Sequence, residues 1–121
     1  MCPKCDRCQK ELRDWQGNIM ISEQPYHSRQ EIKEIGVLCK QCTNQLDATG
    51  VGQQFHNIWE LSWLKEHPVY YLGSMLTDLV SDDPNWTWRK DAVHRICSLV
   101  AIAHPELSKG LLDRIEADKE P

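Results

Sequence analysis

The chain has no excess of positive charge, no apolar run long enough to cross a membrane, and none of the short motifs that mark common active sites. Its 14 Lys and Arg residues are outnumbered by 18 Asp and Glu, for a formal net charge of −4. A nucleic-acid binder normally carries the opposite balance, because it must neutralise phosphates. The longest strongly apolar stretch, Ile96 to Ala103, falls far short of the roughly 20 residues that a spanning helix needs. Met1 is followed at once by Cys2 and Pro3, with no charged-then-apolar leader, so the expected compartment is the cytoplasm. HExxH, Walker A, GxSxG and GxGxxG do not occur. The expectation is a protein that is not an enzyme.

What is present suits a small soluble protein. The 121 residues are 40% hydrophobic and 26% charged, which fits one domain or two very small ones and argues against disorder. Six cysteines could form disulfides in an exported domain. Four of them instead fall in two Cys-x-x-Cys pairs, Cys5/Cys8 and Cys39/Cys42, which is metal-ligand spacing. Each pair turns the chain back on itself, so both thiolates face one ion. Zinc binds four such sulfurs tetrahedrally at about 2.3 Å. An iron–sulfur cluster would favour a more clustered spacing. Cys2, Cys5 and Cys8 are spaced three apart, so Cys2/Cys5 is the alternative first pair. Lys4, Arg7, Lys10 and Lys40 flank the ligands and offset the negative zinc–thiolate core.

The runs Cys5-Asp6-Arg7-Cys8-Gln9-Lys10-Glu11-Leu12 and Leu38-Cys39-Lys40-Gln41-Cys42 resemble the two ligand pairs of a treble-clef or zinc-ribbon finger. The resemblance covers about the first 47 residues. It implies a knuckle bearing the first pair, a short hairpin, and a second pair opening a short helix. It leaves function open, because such fingers bind DNA, RNA, proteins or nothing. Asn18 to Ser22 reads as a strand, Tyr26 to Gln30 and Ile32 to Val37 as further strands or irregular chain, and Thr43 to Leu46 as the helix. Asp47-Ala48-Thr49-Gly50-Val51-Gly52 marks a boundary by its glycines and small polar residues.

Residues 53–116 read as helical. Phe55, Ile58, Trp59 and Trp63 fit one face of a first helix, which ends before Pro68. Leu72, Met75, Leu76, Leu79 and Val80 form the cleanest amphipathic pattern, in a helix opening at Pro68. Ser81 to Asn85 reads as a turn capping a third helix, whose stripe is Ala92, Val93, Ile96, Cys97, Val100 and Ala103. A fourth helix would carry Leu107, Leu111, Leu112 and Ile115, and residues 117–121 a frayed tail. The stretch from about 68 to 104, with Trp88-Arg89-Lys90-Asp91-Ala92-Val93 entering its second helix, resembles a HEAT-type repeat. One such unit cannot bury its own core, so the resemblance implies that the finger, a second copy or a partner covers it. The expected fold class is therefore α+β: a small four-cysteine finger (1–47) followed by a mainly helical bundle of about four helices. The two are expected to pack as separate units, so that removing zinc melts the first and leaves most of the second.

Two functional classes compete. Residues 1–47 carry seven basic and seven acidic residues, and residues 48–121 seven and eleven. Trp59, Trp63, Trp86 and Trp88 all fall in that acidic half. If the segment is helical, Trp86 and Trp88 face different ways, so one is exposed, and exposed Trp favours protein interfaces. The first reading is a protein-binding module that docks a partner through Trp86 or Trp88. The second is a finger that contacts DNA or RNA through Lys4, Arg7, Lys10, Arg13 and Lys40. Asp6, Glu11 and Asp14 interleave with that basic set, which favours the first. A homo-oligomer stays open. His94 and Cys97 could form a metal or catalytic pair but read more simply as a small core residue, Cys97, beside a partly exposed neighbour, His94; His56 and Glu60 could share a metal but read as a solvated helix face.

Overall fold

Apolar and β-branched residues at Ile19, Ile21, Ile32, Ile35 and Val37 need a pleated surface, and they obtain it in one sheet. The computed structural model describes residues 2–27, 29–49, 56–80 and 86–106, with the single positions 113 and 117. Strand β1 (Asn18–Tyr26) and strand β2 (Arg29–Leu38) form an antiparallel hairpin, longer than the sequence suggested. A bulge between Ser22 and Glu23 shifts its register. Helix α1 (Lys40–Thr49) follows directly. Strand β3 (His56–Glu60) then pairs antiparallel with β1. Helices α2 (Leu61–Glu66) and α3 (Pro68–Val80) come next. Strand β4 (Trp86–Trp88) pairs parallel with β2, and helix α4 (Lys90–Ala103) follows it. The sheet is four-stranded in the order β3-β1-β2-β4. The molecule is thus α+β, with helices packed on a curled sheet.

Three sequence expectations are corrected here. Residues 56–60 are a strand, although Ile58, Trp59 and Trp63 have helical spacing. Five residues are too few for periodicity to separate strand from helix, and pairing with β1 decides the outcome. Trp86 to Trp88 is also a strand, so i and i+2 share a face and the two indoles do not point apart. That strand interrupts the HEAT-like stretch: between α3 and α4 the chain enters the sheet instead of turning directly from helix to helix. Helices α3 and α4 open after His67 and Arg89 and close near Val80 and His104, close to the sequence reading. Most of the fourth helix and of the tail lies outside the described residues; the described positions there, 105, 106, 113 and 117, are helical.

Alternation gives the central strands two buried faces. Ile19, Ile21, Ile35 and Val37 share one face, and Asn18, Met20, Gly36 and Leu38 the other. Helix α1 serves the second face, where Asn18 Nδ2 donates to Thr43 Oγ1 at 2.9 Å. Helix α3 lies over the first face, and α2, α3 and α4 touch one another. The buried residues form one cluster, from Cys5, Leu12 and Trp15 through Ile19 and Val37 to Leu61, Leu64, Met75, Ile96 and Leu99. Both chain segments, 1–47 and 53–116, therefore supply strands to one sheet and side chains to one core.

Gly17 sits at a close approach that this arrangement requires. A Cβ there would lie 2.7 Å from the Leu38 carbonyl oxygen, just before Cys39, and the Gly17 carbonyl accepts from the Leu61 N–H at 2.9 Å. We expect Gly17→Ala to destabilise the fold by about 1–3 kcal/mol through backbone displacement, as overpacking does elsewhere. Urea unfolding measures this; an unchanged midpoint would show that β2 can move aside.

Candidate metal centre

The four cysteines reach one point because three local structures deliver them. The first is a tight loop. Cys5 N donates to the Lys10 carbonyl at 2.8 Å and Gln9 N to the Cys5 carbonyl at 2.9 Å, while Lys4 and Glu11 form an antiparallel bridge. Gln9 takes a φ of 65°, which lets the chain reverse just after Cys8. The second is an anchor to the hairpin. Asp6 N donates to the Val37 carbonyl, and Val37 N donates to Asp6 Oδ2, both at 2.8 Å. The third is the start of α1. Cys39 immediately precedes this helix and Cys42 lies in its first turn. Thr43 fixes that turn, with its N–H and its hydroxyl both donating to the Cys39 carbonyl at 3.0 Å.

The sulfurs of Cys5, Cys8, Cys39 and Cys42 all lie within 4.8 Å of one another. A tetrahedron with arms of about 2.3 Å has edges of about 3.8 Å, and the Cys8 and Cys39 sulfurs are 3.9 Å apart. Backbone N–H groups point at the sulfurs: Cys39 N at Cys5 Sγ and Cys42 N at Cys39 Sγ, each 3.4 Å. Such donors favour thiolate over thiol, and the helix N-terminus adds to this. Burial alone would raise the Cys5 pKa, but the N–H groups of Cys8, Cys39 and Arg7 outweigh it and bring the thiol down to about 6. Cys42 goes the other way. Burial pushes it up to about 12, aided by hydrogen bonding with the Cys39, Cys5 and Cys8 sulfurs and by the negative charge of Cys5. A divalent cation at the centre would favour the thiolate form of all four cysteines. The donor set and its spacing can hold a metal ion.

Cys2 stands apart. It is half-buried against the apolar core and does not belong to the sulfur cluster, which selects Cys5/Cys8 as the first pair. We therefore expect Cys2→Ser to retain the metal content of the wild-type chain in elemental analysis; a loss would bring Cys2 into the ligand set.

Three of the basic residues around the site have local partners. Arg7 donates to Gln45 Oε1 at 3.0 Å, across to α1. Lys40 pairs with Glu60 on β3 and donates to Asn18 Oδ1 at 2.8 Å. Arg13 lies 3.8 Å from Glu11. Lys10, Arg13 and Lys40 nevertheless border one open depression beside Cys39, while Arg7 borders a different one with Asp6, Met20 and Leu46. Lys4 lines a third, between the cysteine loop and α4, where Arg95 donates to Asp6 Oδ1 at 3.0 Å.

The tryptophans organise a second site. Trp88 is buried at 6% exposure, and its indole N–H donates to Asp78 Oδ2 on α3 at 3.0 Å. Trp86 keeps 37% of its surface exposed. Trp59, half-buried, stacks on Trp88 with centroids 6.0 Å apart and meets Tyr71 edge-on at 4.8 Å. The three indoles line a cleft of about 500 Å³ with Ile21, Ile32, Glu23, Ser74 and Asp78. Trp63 lies elsewhere, stacked on Tyr71.

The sequence missed Trp59, Glu23 and Asp78 as neighbours of the Trp pair, because sheet pairing brings Trp59 and Glu23 there and the packing of α3 on β4 brings Asp78. The alternation in Trp86-Thr87-Trp88 was the readable signal for a strand. His94 proves more buried than Cys97, the reverse of the expectation, and neither joins the sulfur cluster. Glu60 lies on a strand beside Lys40, so a shared helix face with His56 does not form, and the His56 side chain lies outside the described residues. Among the described residues, no helix is long and apolar enough to cross a membrane. No protein-family model matches the chain, and no curated protein or solved structure was found to match it.

Proposed function

We propose that this chain is a zinc-stabilised, non-enzymatic protein-binding module, whose Cys5, Cys8, Cys39 and Cys42 hold one Zn²⁺ and whose Trp-lined acidic surface docks a protein partner. It would act as a regulator, a complex subunit or an inhibitor. Zinc is the natural occupant of four thiolates in a tetrahedron. The order of loop, hairpin and helix, with one ligand pair on the loop and the other at the helix start, supports the treble-clef resemblance. Thiolate ligands need a reducing compartment, which fits a cytoplasmic protein. The observation that carries the binding role is the partly exposed Trp86 at the mouth of an aromatic cleft, on the acidic half of the chain. Trp is the residue most often found at the energetic centre of protein interfaces.

The depression bordered by Lys10, Arg13 and Lys40 keeps a second reading alive, in which the finger contacts DNA or RNA. The Lys40–Glu60 pair and the net charge weigh against it. A gel-shift series with mixed DNA and RNA at low salt decides between them. The protein-binding reading predicts no shift at micromolar protein. Tight binding that falls steeply with salt, and is abolished by Arg7→Glu with Lys10→Glu, would overturn it.

A further inference from the structure

We propose that the cleft between α3 and the sheet is a binding site for an organic cation, specifically the side chain of a lysine or arginine on a protein partner. This assignment rests on the protein-binding reading above and names what the partner presents. Its first support is the wall chemistry. Trp86, partly exposed, and Trp59, half-buried and backed by the buried Trp88, supply aromatic surface, and a cation within about 6 Å of an indole centroid is attracted by the negative face of the ring. Trp is the strongest aromatic partner for such a charge.

The second support is electrostatic. The charged residues on the cleft wall are both carboxylates, Glu23 and Asp78, and no Lys or Arg is among its described lining residues. The Asp78 carboxylate is held in place by the N–H of the buried Trp88, which fixes a negative charge on the wall of the cleft that Trp86 and Trp59 also line. A fixed carboxylate in the same cleft as a partly exposed indole suits a cation that lies against the Trp86 ring and donates to the carboxylate oxygen.

The third support is the setting. Residues 48–121 carry eleven acidic against seven basic residues, so the long-range field attracts a positive partner. Ile21 and Ile32 at the cleft floor give an apolar bed for the methylene stem that both cationic side chains carry. An anion would be repelled by the carboxylate of Asp78 on the cleft wall.

The test is a titration of the ¹⁵N-labelled full chain, following the tryptophan indole N–H resonances by NMR. The probes are an oligolysine peptide, the same peptide with every lysine acetylated, and tetramethylammonium. We expect saturable shifts of the Trp86 and Trp59 resonances with the lysine peptide and tetramethylammonium, and none with the acetylated peptide. Trp86→Ala and Asp78→Asn should each weaken lysine-peptide binding by about tenfold. Trp86 is partly exposed, and Asn keeps an acceptor for the Trp88 N–H, so both variants should fold; far-UV dichroism checks this.

Equal binding of the acetylated peptide, or undiminished binding in both folded variants, would overturn the assignment. The two levels fail differently. If a protein partner is lost on Trp86→Ala but no cation moves the indoles, the cation site is wrong and the protein-binding reading stands. If tetramethylammonium binds in the cleft while no basic peptide does, the cleft takes a free small cation and the assignment to a partner's side chain is wrong.

Discussion

Replacing Cys39 by serine should release the metal and unfold the whole chain, not only its first 47 residues. Cys39 joins β2 to α1, its sulfur accepts from the Cys42 N–H, and its own N–H donates to the Cys5 sulfur. Serine offers no soft thiolate, so the site falls to three ligands. Binding of a structural zinc is worth about 10–16 kcal/mol in small finger peptides. That matches or exceeds the roughly 5–15 kcal/mol by which a domain is stable. The loss should spread because β2 is paired on both edges, with β1 and with β4, and because Arg95 of α4 grips Asp6 beside Cys5. This differs from the expectation from sequence, which had the helices surviving as a separate unit. The check is zinc content together with far-UV dichroism of the purified variant. Retention of the native helical signal in a zinc-free variant would show that α2, α3 and α4 are stable without the sheet.

Replacing Trp88 by alanine should cost about 3–5 kcal/mol, as for other large buried aromatics. It removes an indole that is 6% exposed, breaks its stacking on Trp59, and takes the hydrogen-bond donor from Asp78. Trp86→Ala should cost under about 1 kcal/mol, because its side chain is partly in water already. The two tryptophans, interchangeable in sequence, thus separate into a structural residue and a surface residue. Urea unfolding at constant zinc measures both. Equal destabilisation by the two substitutions would contradict the assignment of roles.

The gathering of the four cysteines was legible in the sequence and strand pairing was not. Cys5, Cys8, Cys39 and Cys42 stand out because Cys-x-x-Cys spacing is a local property, and the fold brings their sulfurs within 4.8 Å of one another. Helices α3 and α4 are equally local: Leu72, Met75 and Leu79, then Ala92, Ile96 and Val100, carry a period of 3.6 over about two turns. Strand β3 failed that test. Its Ile58 and Trp59 sit at spacings that a helix shares, and only the distant partner β1 distinguishes the two outcomes. Strand β4 is three residues long and exists because β2 offers it an edge. The Trp cleft depends on both strands, so it could not be read before the topology was known. Trp59 and Trp88 are 29 positions apart in the chain and stack only through β1 and β2 between them.

The central claim is a chain organised around one zinc ion held by four thiolates. Native mass spectrometry of the purified wild-type chain tests it most directly, with elemental analysis of the same sample. The account predicts one zinc per chain, lost on treatment with a strong chelator and absent from Cys39→Ser but present in Cys2→Ser. A metal-free wild-type chain with native far-UV dichroism would contradict it.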